Sequence, residues 1–77
     1  MKKPLVSVED VYTGFKTPTI VPNLDAAKRD FKLVIKHPDT ACPEDLRLWY
    51  IGDFNTETGE IKAYKPEMIM KGEPHES

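Results

Sequence analysis

Four basic residues recur at helical spacing near the middle of the chain, and their side chains could bind phosphate groups. They are Lys28, Arg29, Lys32 and Lys36. At 3.6 residues per turn they lie on one arc of a helix. Cationic side chains bind the phosphate backbone of nucleic acids without reading the base sequence. The simpler interpretation is a solvated helix face, because most surface charges serve solubility.

Aromatic residues supply a second kind of chemistry, because their rings could stack on nucleotide bases. The candidates are Tyr12, Phe15, Trp49 and Tyr50, with Tyr64 in addition. Such stacking is worth about 1–3 kcal/mol per base and tolerates any sequence. Together with the basic arc, these residues predict nonspecific binding of single-stranded DNA. The competing interpretation places Trp49 in a core or a dimer interface, because aromatic residues dominate buried contacts.

No pattern in the sequence indicates catalysis, a cofactor or a metal site. The chain has no metal-ligand spacing, no phosphate-binding glycine loop and no nucleophile–base set. The neighbouring acids Glu44 and Asp45 have no histidine or nucleophile beside them. Cys42 is the single cysteine, so no internal disulfide can form and a reducing setting fits. We therefore expect a protein that is not an enzyme and binds neither a cofactor nor a metal.

Length and charge set further limits on function. The 77 residues predict one small domain over residues 1–71 and a disordered tail over residues 72–77. A chain of this size buries only about 60% of its unfolded surface, which favours association into a homodimer. The net charge of −2 gives no overall positive field towards nucleic acid. No apolar run approaches the roughly 20 residues of a membrane span, so we expect no membrane contact.

The basic arc depends on a helix predicted over Leu24 to Lys36. Asn23 is a typical N-cap, and Asp25 lies in the first turn, where the helix dipole favours an acid. The helix should end before His37-Pro38, because the residue before a proline leaves the α region. The predicted core stripe contains Leu24, Ala27, Phe31, Val34 and Ile35.

The aromatic candidates depend on a β-hairpin. Residues 46–54 and 60–64 read as two strands, and Asn55 to Gly59 reads as a turn in which Gly59 takes a positive φ. Gly52 between apolar residues suggests a bulge or a close backbone approach. Alternation places Leu46, Leu48, Tyr50 and Phe54 on one face and Trp49 and Ile51 on the other. Both faces are apolar, so both need cover.

A further strand over residues 5–12 completes the expected fold class. This fold is α+β, a small β-α-β-β domain with a three-stranded, mainly antiparallel sheet and one helix on one face. Residues 13–22 read as an irregular connection, because Gly14, Pro18 and Pro22 interrupt it, with a brief edge pairing near Ile20. A single helix leaves the second face to another subunit, to the loop through Phe15, or to a ligand.

An ordered series of residues resembles a known phage family. The series is Ala27-x-Arg29-x-Phe31, Pro38-x-Thr40, Pro43-Glu44-Asp45-Leu46-x-Leu48-Trp49-x-Ile51-Gly52-Asp53-Phe54 and Thr58-Gly59-x-Ile61. It is similar to the small nonstructural protein of gokushoviruses, which are single-stranded DNA bacteriophages of the microvirus family. The link between Thr40 and Pro43 is shorter than is usual in that family, and the C-terminal tail matches nothing in it.

The resemblance implies a role in the host cytoplasm during the switch to single-stranded genome synthesis and packaging. It implies contact with viral DNA, the replication complex or the procapsid, and it brings no catalytic residues. Two functions therefore stay open. One is a DNA-binding protein that uses the basic arc and the aromatic rings. The other is a homodimeric interaction module that docks on the phage replication protein or procapsid without binding DNA, which the acidic total charge favours.

Overall fold

The structure, a computed structural model, describes residues 1–75. Within this range the chain forms five strands, one α-helix and one short 3-10 helix. They are β1 (Lys2–Asp10), β2 (Gly14–Phe15), β3 (Thr19–Ile20), α1 (Leu24–Lys36), the 3-10 helix (Pro43–Asp45), β4 (Leu46–Asn55) and β5 (Ile61–Lys71).

The predicted three-stranded β-α-β-β fold is wrong, because the described chain is mostly β with a five-stranded antiparallel sheet. Strand β4 lies between β1 and β5, and both β2 and β3 pair with the other edge of β1. The irregular connection returns along β1, where Lys16 N–H donates to the Val8 carbonyl at 2.8 Å and Val21 N–H donates to the Pro4 carbonyl at 3.0 Å. Pro18 lies between β2 and β3 and divides this edge in two.

The helix occurs where the sequence predicts it. The Asn23 side chain accepts a hydrogen bond from Ala26 N–H at 2.7 Å, as an N-cap does, and α1 ends at Lys36. Ala27 and Phe31 are buried at 4% and 2% exposure. The buried core contains Val6, Val21, Ala27, Phe31, Leu46 and Leu48. Val34 does not belong to it, because α1 meets the sheet through Ala27 and Phe31 and leaves Val34 turned towards solvent.

Register defines two faces of the sheet, since residues paired across antiparallel strands share a face. The helix-side face carries Val6, Val8, Leu46, Leu48, Tyr50 and Asp53. The apolar residues of the open face are Leu5, Phe15, Ile20, Trp49, Phe54, Ile61 and Met68. The same face also carries Lys3, Ser7, Glu9, Arg47 and Lys71. Helix α1 packs on one end of the helix-side face only.

A β-bulge at Ile51 changes which side chains share a face. Val6 pairs with Tyr50, whereas Leu5 pairs with Gly52, so Ile51 is an extra residue in β4. One inserted residue reverses the alternation beyond it. The predicted position of Phe54 beside Leu46 and Leu48 is therefore wrong, and Phe54 lies on the open face.

Gly52 confirms the predicted bulge and close approach. A Cβ atom at this position would lie 2.5 Å from the carbonyl oxygen of Lys62 on the neighbouring strand. The predicted hairpin turn is also confirmed. Gly59 has a φ of 79°, and the Asn55 side chain accepts hydrogen bonds from Glu57 N–H at 2.9 Å and Thr58 N–H at 3.3 Å.

The second hairpin strand runs further than predicted. Strand β5 reaches Lys71, and residues 64–66 interrupt its pairing with β4 at Pro66. Gly72 is buried, and its N–H donates to the Leu46 carbonyl at 2.8 Å. The tail predicted over residues 72–77 lies partly outside the described residues, which end at 75. The molecule is elongated, with extents of 47 × 22 × 17 Å.

Candidate nucleic-acid interface

The four predicted basic residues lie together on the outer side of α1. Lys28, Arg29, Lys32 and Lys36 line one shallow groove with Asp25 and Leu33. The opposite side of the helix is the one that carries Ala27 and Phe31 into the core. Within residues 1–75, none of the four basic side chains forms an ion pair within 4.0 Å of an acid. The groove is therefore a cationic surface that is open to an anionic ligand.

Trp49 and Phe15 lie on the open face, across the sheet from that groove. Their ring centroids are 5.9 Å apart, and the rings are tilted by 53°. The Trp49 indole Nε1–H donates to Glu9 Oε1 at 3.0 Å. Arg47 and Lys71 lie in the same row of the face as Glu9, so the rings present apolar surface bordered by charges of both signs.

Tyr50 belongs to a third cluster, on the helix-side face beyond the end of α1. Its hydroxyl donates to Asp53 Oδ1 at 2.6 Å, and the Tyr64 hydroxyl donates to Asp53 Oδ2 at 2.6 Å. The two tyrosine rings are 5.8 Å apart, and Lys62 Nζ lies 5.6 Å from the Tyr64 ring centroid. The reversal at Ile51 is what turns Asp53 to the face of Tyr50.

These hydrogen bonds fix the protonation states of the cluster. The hydrogen bond to Asp53 raises the pKa of Tyr50 to about 12 and also raises the pKa of Tyr64. The pKa of Asp53 is lowered, first by the hydrogen bond from Tyr50 and then by the one from Tyr64. At neutral pH the cluster is thus one carboxylate held by two phenol groups, which is a rigid polar contact.

Tyr12 occupies a fourth place, the turn between β1 and β2, where it is 82% exposed. Its backbone N–H donates to Asp10 Oδ1 at 2.9 Å. The predicted site residues therefore fall into separate regions: the four basic residues share one surface of α1, Phe15 and Trp49 form a pair on the open face, and Tyr50 and Tyr12 lie elsewhere.

Sequence reasoning missed Glu9 and Asp53 as partners of the aromatic residues. A signal existed for Asp53, because aspartate is depleted inside strands and this one lies between Gly52 and Phe54. No comparable signal marks Glu9, since its contact with Trp49 spans 40 positions of the sequence.

Among residues 1–75, no three His, Cys, Asp or Glu side chains are close enough together to hold a metal ion. No helix in the described part of the chain is both long and apolar enough to cross a bilayer.

Comparison with known protein families matches most of the chain. The sequence model of a family described as Phage ORF5 protein matches residues 3–74. No curated protein and no solved structure matches the chain.

Proposed function

The chain belongs to the Phage ORF5 protein family, and from this premise we propose that it is a nonstructural phage protein that binds single-stranded DNA without sequence preference. The binding surface is the groove on the outer side of α1. The role is binding, with no catalytic step.

The observation that carries this proposal is the continuous cationic groove. Lys28, Arg29, Lys32 and Lys36 line the same surface, and none forms an ion pair within residues 1–75. Free cationic side chains on one surface gain affinity for DNA by releasing the counterions condensed on phosphates. A net charge of −2 restricts this attraction to the groove, because the rest of the chain carries an excess of acids.

Spacing along α1 suits a linear chain of phosphates. Lys28, Lys32 and Lys36 follow at intervals of four residues, which places them about 6 Å apart along the helix axis. This interval is comparable to the separation of neighbouring phosphates along one DNA strand. The exposed side chain of Leu33 lies in the same groove and can contact a base that is not paired.

Membership of a phage protein family and the resemblance to gokushovirus proteins support the biological setting that we propose. The protein acts in the host cytoplasm, where it holds newly made viral strands during the switch to single-stranded synthesis and packaging. Its other partners are then the phage replication or procapsid proteins. Binding that ignores base sequence fits this role, because the whole genome must be covered.

A titration of fluorescently labelled poly-dT at low salt tests the proposal. Replacing all four basic residues by Glu should abolish binding while the circular dichroism spectrum is retained. For the unaltered chain, four phosphate contacts predict a slope of about −2.8 for log affinity against log salt, since each contact on single strands contributes about −0.7.

A matched control reverses four lysines elsewhere, at Lys2, Lys16, Lys65 and Lys71, which gives the same change in net charge. The control variant should retain most of the affinity. If both variants lose the same affinity for poly-dT, net charge alone explains the loss. If the groove variant keeps its affinity, the groove is not the DNA-binding surface. Absence of binding by the unaltered chain would favour the interaction module that docks on phage proteins without DNA.

A further inference from the structure

We propose that the open face of the sheet is a homodimer interface, in which a second copy of this chain covers Trp49 and its neighbours. This proposal does not depend on DNA binding. It assigns the face opposite α1 to self-association and leaves the basic groove of each copy on the outside of the dimer.

The middle of the open face is apolar, with Lys3 at one end and a charged row of Glu9, Arg47 and Lys71 at the other. Four of its large apolar side chains are strongly exposed, namely Phe15 at 50%, Ile20 at 43%, Ile61 at 61% and Met68 at 50%. These side chains are neighbours of Leu5, Trp49 and Phe54 across the strands: Ile20 pairs with Leu5, Met68 with Trp49 and Ile61 with Phe54. The Phe15 ring lies against that of Trp49. A contiguous apolar surface of this kind marks an interaction site in a small protein.

The size of the molecule allows a face large enough for a stable dimer. The whole molecule extends over 47 × 22 × 17 Å, so its broadest side measures at most on the order of 1,000 Å². A standard specific interface needs about 800 Å² per partner, so a dimer through this side would use most of it. A two-fold axis would bring the same patch of both copies together, and the apolar middle of one would face the apolar middle of the other.

A second copy fits this face better than a DNA strand does. The Trp49 indole N–H already donates to Glu9 at 3.0 Å, so the ring offers apolar surface to a partner. Arg47 and Lys71 lie in the same row as Glu9, so this end of the face carries both signs of charge and no continuous row of cations for a phosphate chain. Ile61 and Met68 have no base-stacking function, but they pack well in a dimer core.

Sedimentation equilibrium of the unaltered chain without DNA tests the proposal directly. One chain has a mass of 8.8 kDa, so a dimer has twice that mass. Ile61→Glu and Met68→Glu should each weaken dimerisation about 100-fold, because each buries a charge that has no partner. Both side chains are exposed in the single chain, so the fold should survive and circular dichroism should be unchanged. Emission from Trp49 should shift to shorter wavelength as protein concentration rises.

The matched control is Leu33→Glu, which replaces another exposed apolar side chain, 67% exposed, on α1. It should leave the dimer intact. A monomeric unaltered chain at its solubility limit would overturn the proposal. So would dissociation by Leu33→Glu with no effect of Ile61→Glu or Met68→Glu. Quenching of Trp49 by poly-dT in the monomeric variants would assign the face to bases instead.

Discussion

The helix-side face and the open face of the sheet have similar residue types and very different surroundings. On the helix side, Leu46 and Leu48 are 7% and 2% exposed beneath α1. On the open side, Ile61 and Met68 are 61% and 50% exposed. The residue types alone do not account for this difference, because strand alternation distributes apolar residues to both faces.

The comparison shows that an apolar residue joins the core when another element packs over it, whatever the composition of its strand. A helix of 13 residues is about 20 Å long, whereas the molecule extends over 47 Å. One helix can therefore cover only part of one face. The remaining apolar surface is available for association with other molecules.

The largest expected effect comes from a pair of phenylalanines, one for each face. Phe31→Ala should cost about 3–5 kcal/mol in the free energy of unfolding, because it truncates a fully buried ring. Phe15→Ala, on the open face at 50% exposure, should cost far less when it is measured in the Met68→Glu background, which is designed to prevent self-association. Urea denaturation measures both changes. Equal losses in the free energy of unfolding for the two variants would mean that both faces are buried to the same extent.

A smaller effect is expected from the polar cluster on the helix-side face. Asp53→Asn should cost about 1 kcal/mol at neutral pH, since it weakens two charge-assisted hydrogen bonds that are partly exposed to solvent. The pKa of Asp53 is lowered on folding. Its contribution is therefore present above the ordinary value of 3.8 and is lost as pH falls through the folded pKa.

Tyr50 gives the alkaline side of the same prediction. Its pKa is raised from 10.0 to about 12, so its contribution is present below pH 10 and is lost as pH rises towards 12. Denaturation across both pH ranges should show these losses in the unaltered chain. Tyr50→Phe should reduce the alkaline loss and leave the part that Tyr64 contributes, whose pKa is also raised by Asp53. Tyr12→Phe, which removes an exposed hydroxyl group, should not reduce it.

The smallest effect is expected at Glu9 on the open face. Glu9→Gln should cost about 0.5–1 kcal/mol, because the hydrogen bond from Trp49 is kept but loses its charge assistance. The emission maximum of Trp49 should shift in the same variant. Glu57→Gln, which removes an exposed ion pair with the N-terminus, is the control and should have no measurable effect. A larger loss in the free energy of unfolding for Glu57→Gln than for Glu9→Gln would show that the hydrogen bond between Trp49 and Glu9 does not stabilise the fold.

Local patterns predicted the helix and the hairpin turn well. Asn23 and Pro38 mark the helix ends through backbone chemistry that does not depend on the rest of the fold. Gly59 likewise marks the turn through its positive φ. The five-stranded sheet could not be predicted in the same way. Strands β2 and β3 have two residues each and exist only because β1 offers them an edge.

The sequence predicted the part of the candidate site whose residues lie close together along the chain. The basic residues of α1 share one helix, so spacing alone brings them together. The aromatic residues depend on register, and one bulge at Ile51 separates Tyr50 and Asp53 from Trp49 and Phe54. The position of a bulge depends on cross-strand contacts such as that of Gly52 with Lys62, which alternation does not report.

Proline occurs at both borders of the sheet. Pro18 separates β2 from β3 on one border, and Pro66 lies within β5 on the other. Since proline has no N–H to offer, an incoming strand cannot form a continuous ladder along either border. Edge-to-edge growth into fibrils would therefore meet a break in the hydrogen-bond ladder at either border.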